Sequence, residues 1–257
     1  MSTQKKIVEL RGTTVKHGEL LYYLAPIGHP DLDLKLKILK KNLIHIHNTT
    51  GANFDIAVNS YMVHKRGQNR IKKFLENLKF INKSYFHFQK GWLAGIFLKN
   101  PNNKIFSKYK YILFNMDDVS LKKFPINKGI SLIKKYKADC LSPHISGATH
   151  PWFPAGLNRV NRVEIFCLLM LGRKFNDFLN LFEEKNPCFW GVDAMMAYKK
   201  FYPLVCGEFL ADHHLRNDDY YDRRIKKNGQ GCAQINRNTN GSYRNVWSLV
   251  NDYPLIK

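Results

Sequence analysis

Two adjacent carboxylates, Asp117 and Asp118, close an apolar and aromatic run over residues 109–119, and acids in that position can do chemistry. A buried strand ending on paired acids puts negative charge at the carboxyl edge of a sheet. Open α/β folds hold ligands there, and hard cations find oxygen donors. The pair is a candidate metal and phosphate site, although Asp also suits an ordinary strand-end turn through hydrogen bonds to nearby backbone. Further on, Trp190-Gly191-Val192-Asp193 places a carboxylate at the start of an expected helix over residues 194–198. Asp193 is either an N-cap for free amides or a general base whose partial burial raises its proton affinity. The third feature is Asp212-His213-His214, which follows the apolar Phe209-Leu210-Ala211. An imidazole joining two carboxylates makes a mixed donor set that suits manganese better than magnesium or calcium. From a strand, only one of two adjacent histidines can face such a site, and the sequence leaves open which.

The elements that must position these groups are legible as alternating strands and helices. Residues 20–25 read as a buried strand closed by Pro26 and Gly28. Asp31 and Asp33 then precede Leu36, Leu39, Leu43 and Ile46, whose spacing predicts an amphipathic helix, with His45-Ile46-His47 also open to a strand reading. After a turn-rich stretch at 48–53, residues 54–61 alternate as a second strand. Ile71, Phe74, Leu75, Leu78 and Phe80 outline another helical face, followed by a short aromatic strand at 85–88, a buried helix at 91–98, and the acidic strand. This rhythm predicts an α/β sheet with helices on its faces. Beyond Val119 the expected elements are a helix at 130–137, a small strand at 138–142, a loop at 144–154, and helices at 164–171 and 176–183. The chain turns polar from Asp212 onward. Neither a repeat nor a linker divides it, so a single domain over residues 1–257 is expected.

The chain has 257 residues, 44% of them hydrophobic, which is enough for one substantial core. No segment reads as a leader, and no apolar stretch approaches the length that crosses a bilayer, so a soluble, cytoplasmic protein is expected. Five scattered cysteines lack the paired spacing of a zinc site and fit reduced thiols. The net charge of +21 and pI near 9.8 fit anionic nucleotides, acidic glycans or an anionic membrane face. Because the lysines are spread along the chain without a nucleic-acid-binding motif, sequence-specific nucleic-acid binding is not expected. Peripheral membrane contact remains compatible with this charge.

An alternating α/β half, a strand ending in an acidic motif, a downstream Trp-Gly-x-Asp and a late His, in that order, resemble a glycosyltransferase of the A fold. The Lys- and Asn-rich composition is similar to that of small glycosyltransferases of large DNA viruses of algae and protists, which implies the host cytoplasm. The resemblance implies a single-domain, Rossmann-like mixed sheet flanked by helices, with a nucleotide-binding half at 1–119 and an acceptor-binding half at 120–257. It also implies transfer of a sugar from a nucleoside diphosphate donor to a glycan or glycoprotein hydroxyl, with inversion, dependent on Mn2+ or Mg2+. Asp118 would be the metal-binding acid and Asp117 its helper on the donor, while Met116 stands where the family often has another acid. Asp193 matches the base, and His213 or His214 the late metal ligand. Pro26, Ile27, Asn59, Ser60 and Tyr61 would frame the nucleobase and ribose, and Lys90 and Gly91 would face the phosphates. Trp152 and Trp190 offer flat faces for acceptor sugars. Two rival readings are a non-catalytic binder of nucleic acid or another polyanion, and a metal-dependent nuclease or phosphotransferase.

Overall fold

The computed structural model of the chain describes residues 10–28, 31–61, 64–89, 98–147, 156–160, 163–182, 192, 193, 196 and 201–214, with backbone alone for Pro26 and Tyr61. Among the described residues nine strands form one mixed sheet. In chain order they are β1 (Leu20–Gly28), β2 (Phe54–Tyr61), β3 (Ile81–Phe88), β4 (Tyr111–Asn115), β5 (Val119–Lys123), β6 (Cys140–Ser146), β7 (Leu157–Arg159), β8 (Cys167–Leu171) and β9 (Pro203–His213). Their spatial order is β3-β2-β1-β4-β8-β6-β9-β5, with β7 paired to β9. The first four are mutually parallel, β8 runs antiparallel to both β4 and β6, and β5 and β7 run antiparallel to β9. The helices are α1 (Leu32–Thr50), α2 (Lys65–Glu76), α3 (Asn103–Phe106), α4 (Ile126–Tyr136) and α5 (Phe175–Leu179), the last led in by a 3-10 turn at Gly172–Lys174.

Two neighbouring tyrosines on β1 define the layers. Successive strand residues point to opposite faces. Tyr22 reaches the amide of Asn42 on α1 with its hydroxyl at 3.4 Å. Tyr23 packs its ring against Phe106 of α3 and Phe175 of α5, with centroids 5.8 and 4.9 Å apart. One face of the sheet therefore carries α1, with α4 packed beside it, and the other carries α3 and α5. The sheet's inner strands are closed to solvent on both faces, as a parallel core requires. At Gly172 a side chain has no room, because a Cβ there would stand 1.7 Å from the Tyr109 carbonyl oxygen.

Several expectations hold: β2 spans residues 54–61, and α1 carries Leu39, Leu43 and Ile46 on its buried face, which excludes the strand reading of His45-Ile46-His47. Others are corrected. Residues 164–171 were expected to be helical, but Cys167–Leu171 is β8, hydrogen-bonded between β4 and β6. Cys167, Leu168, Leu169 and Met170 are all fully buried, and a run covered on both faces shows no alternation to separate strand from helix. The helix expected at 176–183 reduces to the five residues of α5 and its lead-in turn. Phe80, assigned to a helical face, lies in the turn before β3 and stacks on the His47 ring at 4.9 Å. His144, Ile145 and Ser146, read as loop, extend β6, and the strand placed at 138–142 begins at Cys140. Of the helix expected at 91–98, Leu98 has helical backbone and residues 91–97 lie outside the described residues.

Candidate active site

The turn that carries Asp117 and Asp118 is shaped by buried amides beneath it. At the end of β4, the Asn115 side-chain nitrogen lies 3.0 Å from the Tyr22 hydroxyl and 2.9 Å from the carbonyls of both Met116 and Val119. From α1, Asn42 donates to the same Val119 carbonyl at 2.8 Å and accepts the Leu121 amide at 2.8 Å. Both asparagines are buried, so these bonds satisfy groups that would otherwise be costly to desolvate. They fold the chain back from β4 into β5 and leave the two acids at the sheet's carboxyl edge.

Asp117 ties this turn to the end of β1. Its Oδ2 accepts the Gly28 amide at 3.0 Å and pairs with Lys35 Nζ at 2.8 Å, and Lys35 also donates to the Gly28 carbonyl at 3.1 Å. Burial pushes the Asp117 carboxyl up to about 6, against the pull of the Lys35 ammonium and with the Asp118 charge adding to the rise. Carboxyls displaced in this direction are common at functional sites.

Asp118 faces β9. Its Oδ2 lies 3.1 Å from His213 Nε2, while its Oδ1 is buried and has no hydrogen-bond partner among the described residues. Phe166 stacks on the His213 ring at 4.9 Å. The carbonyl of Gly147 lies 3.4 Å from His213 Nδ1, and a carbonyl can only accept, so Nδ1 is the donor in that contact. With Nδ1 donating, Nε2 accepts in the neutral ring or donates to the Asp118 carboxylate in the imidazolium, and in both forms His213 and Asp118 are held as a pair at this edge. Gly147 has φ 74°, and a Cβ there would come 3.0 Å from the His213 carbonyl oxygen, so glycine permits this approach. His214 points elsewhere: its amide donates to the Asp118 carbonyl at 2.7 Å and its Nε2 meets Ser120 Oγ at 2.8 Å.

These donors fit a divalent cation. Asp118 Oδ1 is an orphaned buried oxygen, and His213 Nε2 stands beside the same carboxyl. No cluster of three or more His, Cys, Asp or Glu occurs among the described residues, so of these Asp118 and His213 are the two that would hold the ion.

The remaining expected site residues are placed as follows. Ile27 is buried and pairs with Ser60 across β1 and β2. Asn59 donates to the Leu24 carbonyl at 3.0 Å and accepts from Asn100 at 2.8 Å, which turns its side chain into the structure. The Ser60 hydroxyl is buried without a partner among the described residues. Pro26 and Tyr61 lie in β1 and β2. Asp193 is half-buried in helical backbone beside Val192, and Val192 and Met196, four residues apart, both sink into the core. Lys90, Gly91, Trp152 and Trp190 lie outside the described residues. Sequence reasoning missed Lys35, Gly147, Phe166 and the Tyr22, Asn42 and Asn115 network. Gly147 and Asn115 had local signals, a glycine in a polar loop and an amide just before the two acids, whereas the others acquire their roles through contacts distant in sequence.

No protein-family model matches the chain, and no curated protein matches it. Solved structures do. The chain is similar to GalNAc-T7, crystallised with UDP, GalNAc and Mn2+, at TM-score 0.55 and 8% identity over 80% of this chain. It is also similar to residues 1–349 of S. aureus TarS in complex with UDP, at TM-score 0.50 and 12% identity over 79% of this chain. It spans 44% of the first structure and 62% of the second, under two thirds of either. The chain has the mixed-sheet A fold of these glycosyltransferases.

Proposed function

We propose that the protein is a metal-dependent glycosyltransferase that moves a sugar from a nucleoside diphosphate donor to a glycan or glycoprotein hydroxyl. The observation that carries this reading is the meeting of Asp118 with His213 at the carboxyl edge of the parallel strands, in a sheet of the A fold. Asp118 and His213 hold Mn2+ or Mg2+, which when bound stabilises the negative charge gathering on the diphosphate leaving group. Lys35 and Asp117 fix the turn against β1, and Asp117 lies beside the donor. Ile27 and Asn59 are committed to the core and shape the nucleotide's floor, while the Ser60 hydroxyl is the group of that set left for a ligand. Pro26 and Tyr61 flank that floor, and Lys90 and Gly91 face the phosphates.

Asp193 takes the proton from the acceptor hydroxyl as that oxygen attacks the anomeric carbon from the face opposite the diphosphate, so configuration inverts. Trp152 and Trp190 stack against acceptor sugars. UDP accompanies both similar structures, which makes uridine diphosphate sugars the first donors to test.

The test is a melting-temperature panel of uridine and guanosine diphosphate sugars with and without Mn2+, followed by assay of nucleotide release with a mixed glycan acceptor. A donor whose stabilisation requires Mn2+, and which is then turned over, supports the proposal. If no nucleotide sugar shifts the melting temperature with metal present, the proposal fails.

A further inference from the structure

The layer formed by α1, β5 and α4 carries almost one sign of charge. Across these three elements the only acid is Asp33, and it is already engaged by Arg70 of α2. Lys37, Lys40 and Lys41 are exposed on α1, as are Lys134 and Lys135 on α4, and α1 packs against both β5 and α4. Single-signed surfaces of this kind raise the local concentration of an oppositely charged partner.

Within that field lies a second pattern. Leu34, Lys37, Lys41 and Ile44 follow one another at spacings of three, four and three, which aligns them along one side of the helix. Leu34 is 50% exposed and Ile44 is 38% exposed, although the opposite side of α1 is fully used in the core. Apolar side chains set between lysines suit the boundary between headgroups and acyl chains, where the cations meet anionic headgroups. A nucleic acid is less well served. Bases bind single-strand readers by stacking on aromatic rings, and the only aromatic on these elements besides histidine, Tyr136, is half-buried with the Lys135 ammonium 5.3 Å from its centroid.

We infer that the outer face of α1, with the neighbouring lysines of α4, is a docking surface for an anionic lipid bilayer. The surface does not depend on the proposed transfer chemistry, and it stands or falls separately.

The experiment is flotation of the full chain with vesicles of phosphatidylcholine mixed with phosphatidylserine, against phosphatidylcholine alone, over a salt series. The wild type should bind only the anionic vesicles, and less as salt rises. A juxtamembrane lysine contributes about fivefold to partitioning, so Lys37→Glu/Lys40→Glu/Lys41→Glu should lower it on the order of 100-fold. The control Lys104→Glu/Lys108→Glu/Arg173→Glu makes the same charge change on the opposite layer and should cost less than about fivefold. Leu34→Ser/Ile44→Ser keeps every charge and should lose the binding that survives high salt; this pair decides the matter if the triple reversal does not fold. Equal loss in both triple variants, equal binding to neutral vesicles, no binding to anionic ones, or a preference for duplex DNA over anionic vesicles would each overturn the inference.

Discussion

Asp118 Oδ2 and His213 Nε2 stand 3.1 Å apart although 95 positions separate them in the chain. The register explains the meeting: β5 pairs with β9 so that Val119 lies opposite His213, which brings the residue just before β5 to the end of β9. Removing Asp118 should therefore remove function without removing fold. Asp118→Ala should lower transfer by roughly 10²–10³-fold and abolish the Mn2+-dependent rise in melting temperature. The melting temperature without metal should change little, because the variant trades the His213 contact at Oδ2 for relief of a buried Oδ1 that has no partner among the described residues. Wild-type turnover in this variant would remove the metal role.

The two histidines should separate cleanly. His213→Ala deletes the ring that faces Asp118, and the Mn2+ response should vanish. His214→Ala deletes a ring bonded to Ser120 instead, and the response should persist. Titration calorimetry with Mn2+ on both variants checks this, and the reverse ranking would reassign the ligand.

Gly147→Ala tests the support behind His213. With φ 74° and a Cβ 3.0 Å from the His213 carbonyl oxygen, alanine should destabilise the fold by about 1–2 kcal/mol and shift the carbonyl that orients the ring. Loss of an orienting partner of this kind typically weakens metal binding by about 10-fold or more. Urea denaturation and Mn2+ titration on the same sample measure the two effects together.

Asn42→Ala probes the floor of the acidic turn. The Leu121 amide would lose its acceptor and the Val119 carbonyl one of its two donors. Leaving a buried amide unpaired should cost about 2 kcal/mol in urea unfolding. Donor affinity should fall as the turn relaxes.

The thiols make a pH prediction. Burial pushes Cys206 up to about 12 from 9.0, and it raises Cys140 and Cys167 further. These thiols stay protonated in the folded chain while the unfolded chain releases its protons near 9.0. Their contribution to stability is therefore complete below pH 9 and declines as pH rises toward the folded values. Iodoacetamide labelling followed by mass spectrometry should find all three cysteines slow at pH 9 in buffer and fast in urea. Rapid native labelling would show that they are accessible.

Legibility in the sequence tracked local pattern. The alternation of Phe54 to Tyr61 and the three-to-four spacing of Leu39, Leu43 and Ile46 each carry their own period, and both elements formed as read. Cys167 to Met170 carry none, because strands on both sides and packing on both faces demand apolar residues throughout; a helix was the wrong outcome of an ambiguous run. The acids at Asp117 and Asp118 stood out because a strand visibly stopped there. Lys35 did not, since its partnership with Asp117 arises only once α1 lies across the end of β1. His213 and His214 could not be told apart in one dimension, and the partners they meet at the end of β9, Asp118 and Ser120, separate them.

The Val119 carbonyl receives two amides, one from Asn42 on a helix and one from Asn115 on a strand, and neither belongs to the reacting set. Shape at this corner is thus kept by residues that chemistry does not consume. A protein with Asp193 or Asp118, the proposed base and metal acid, neutralised should therefore keep this corner intact, and such a form would serve as a trap in which to capture the proposed donor and acceptor side by side.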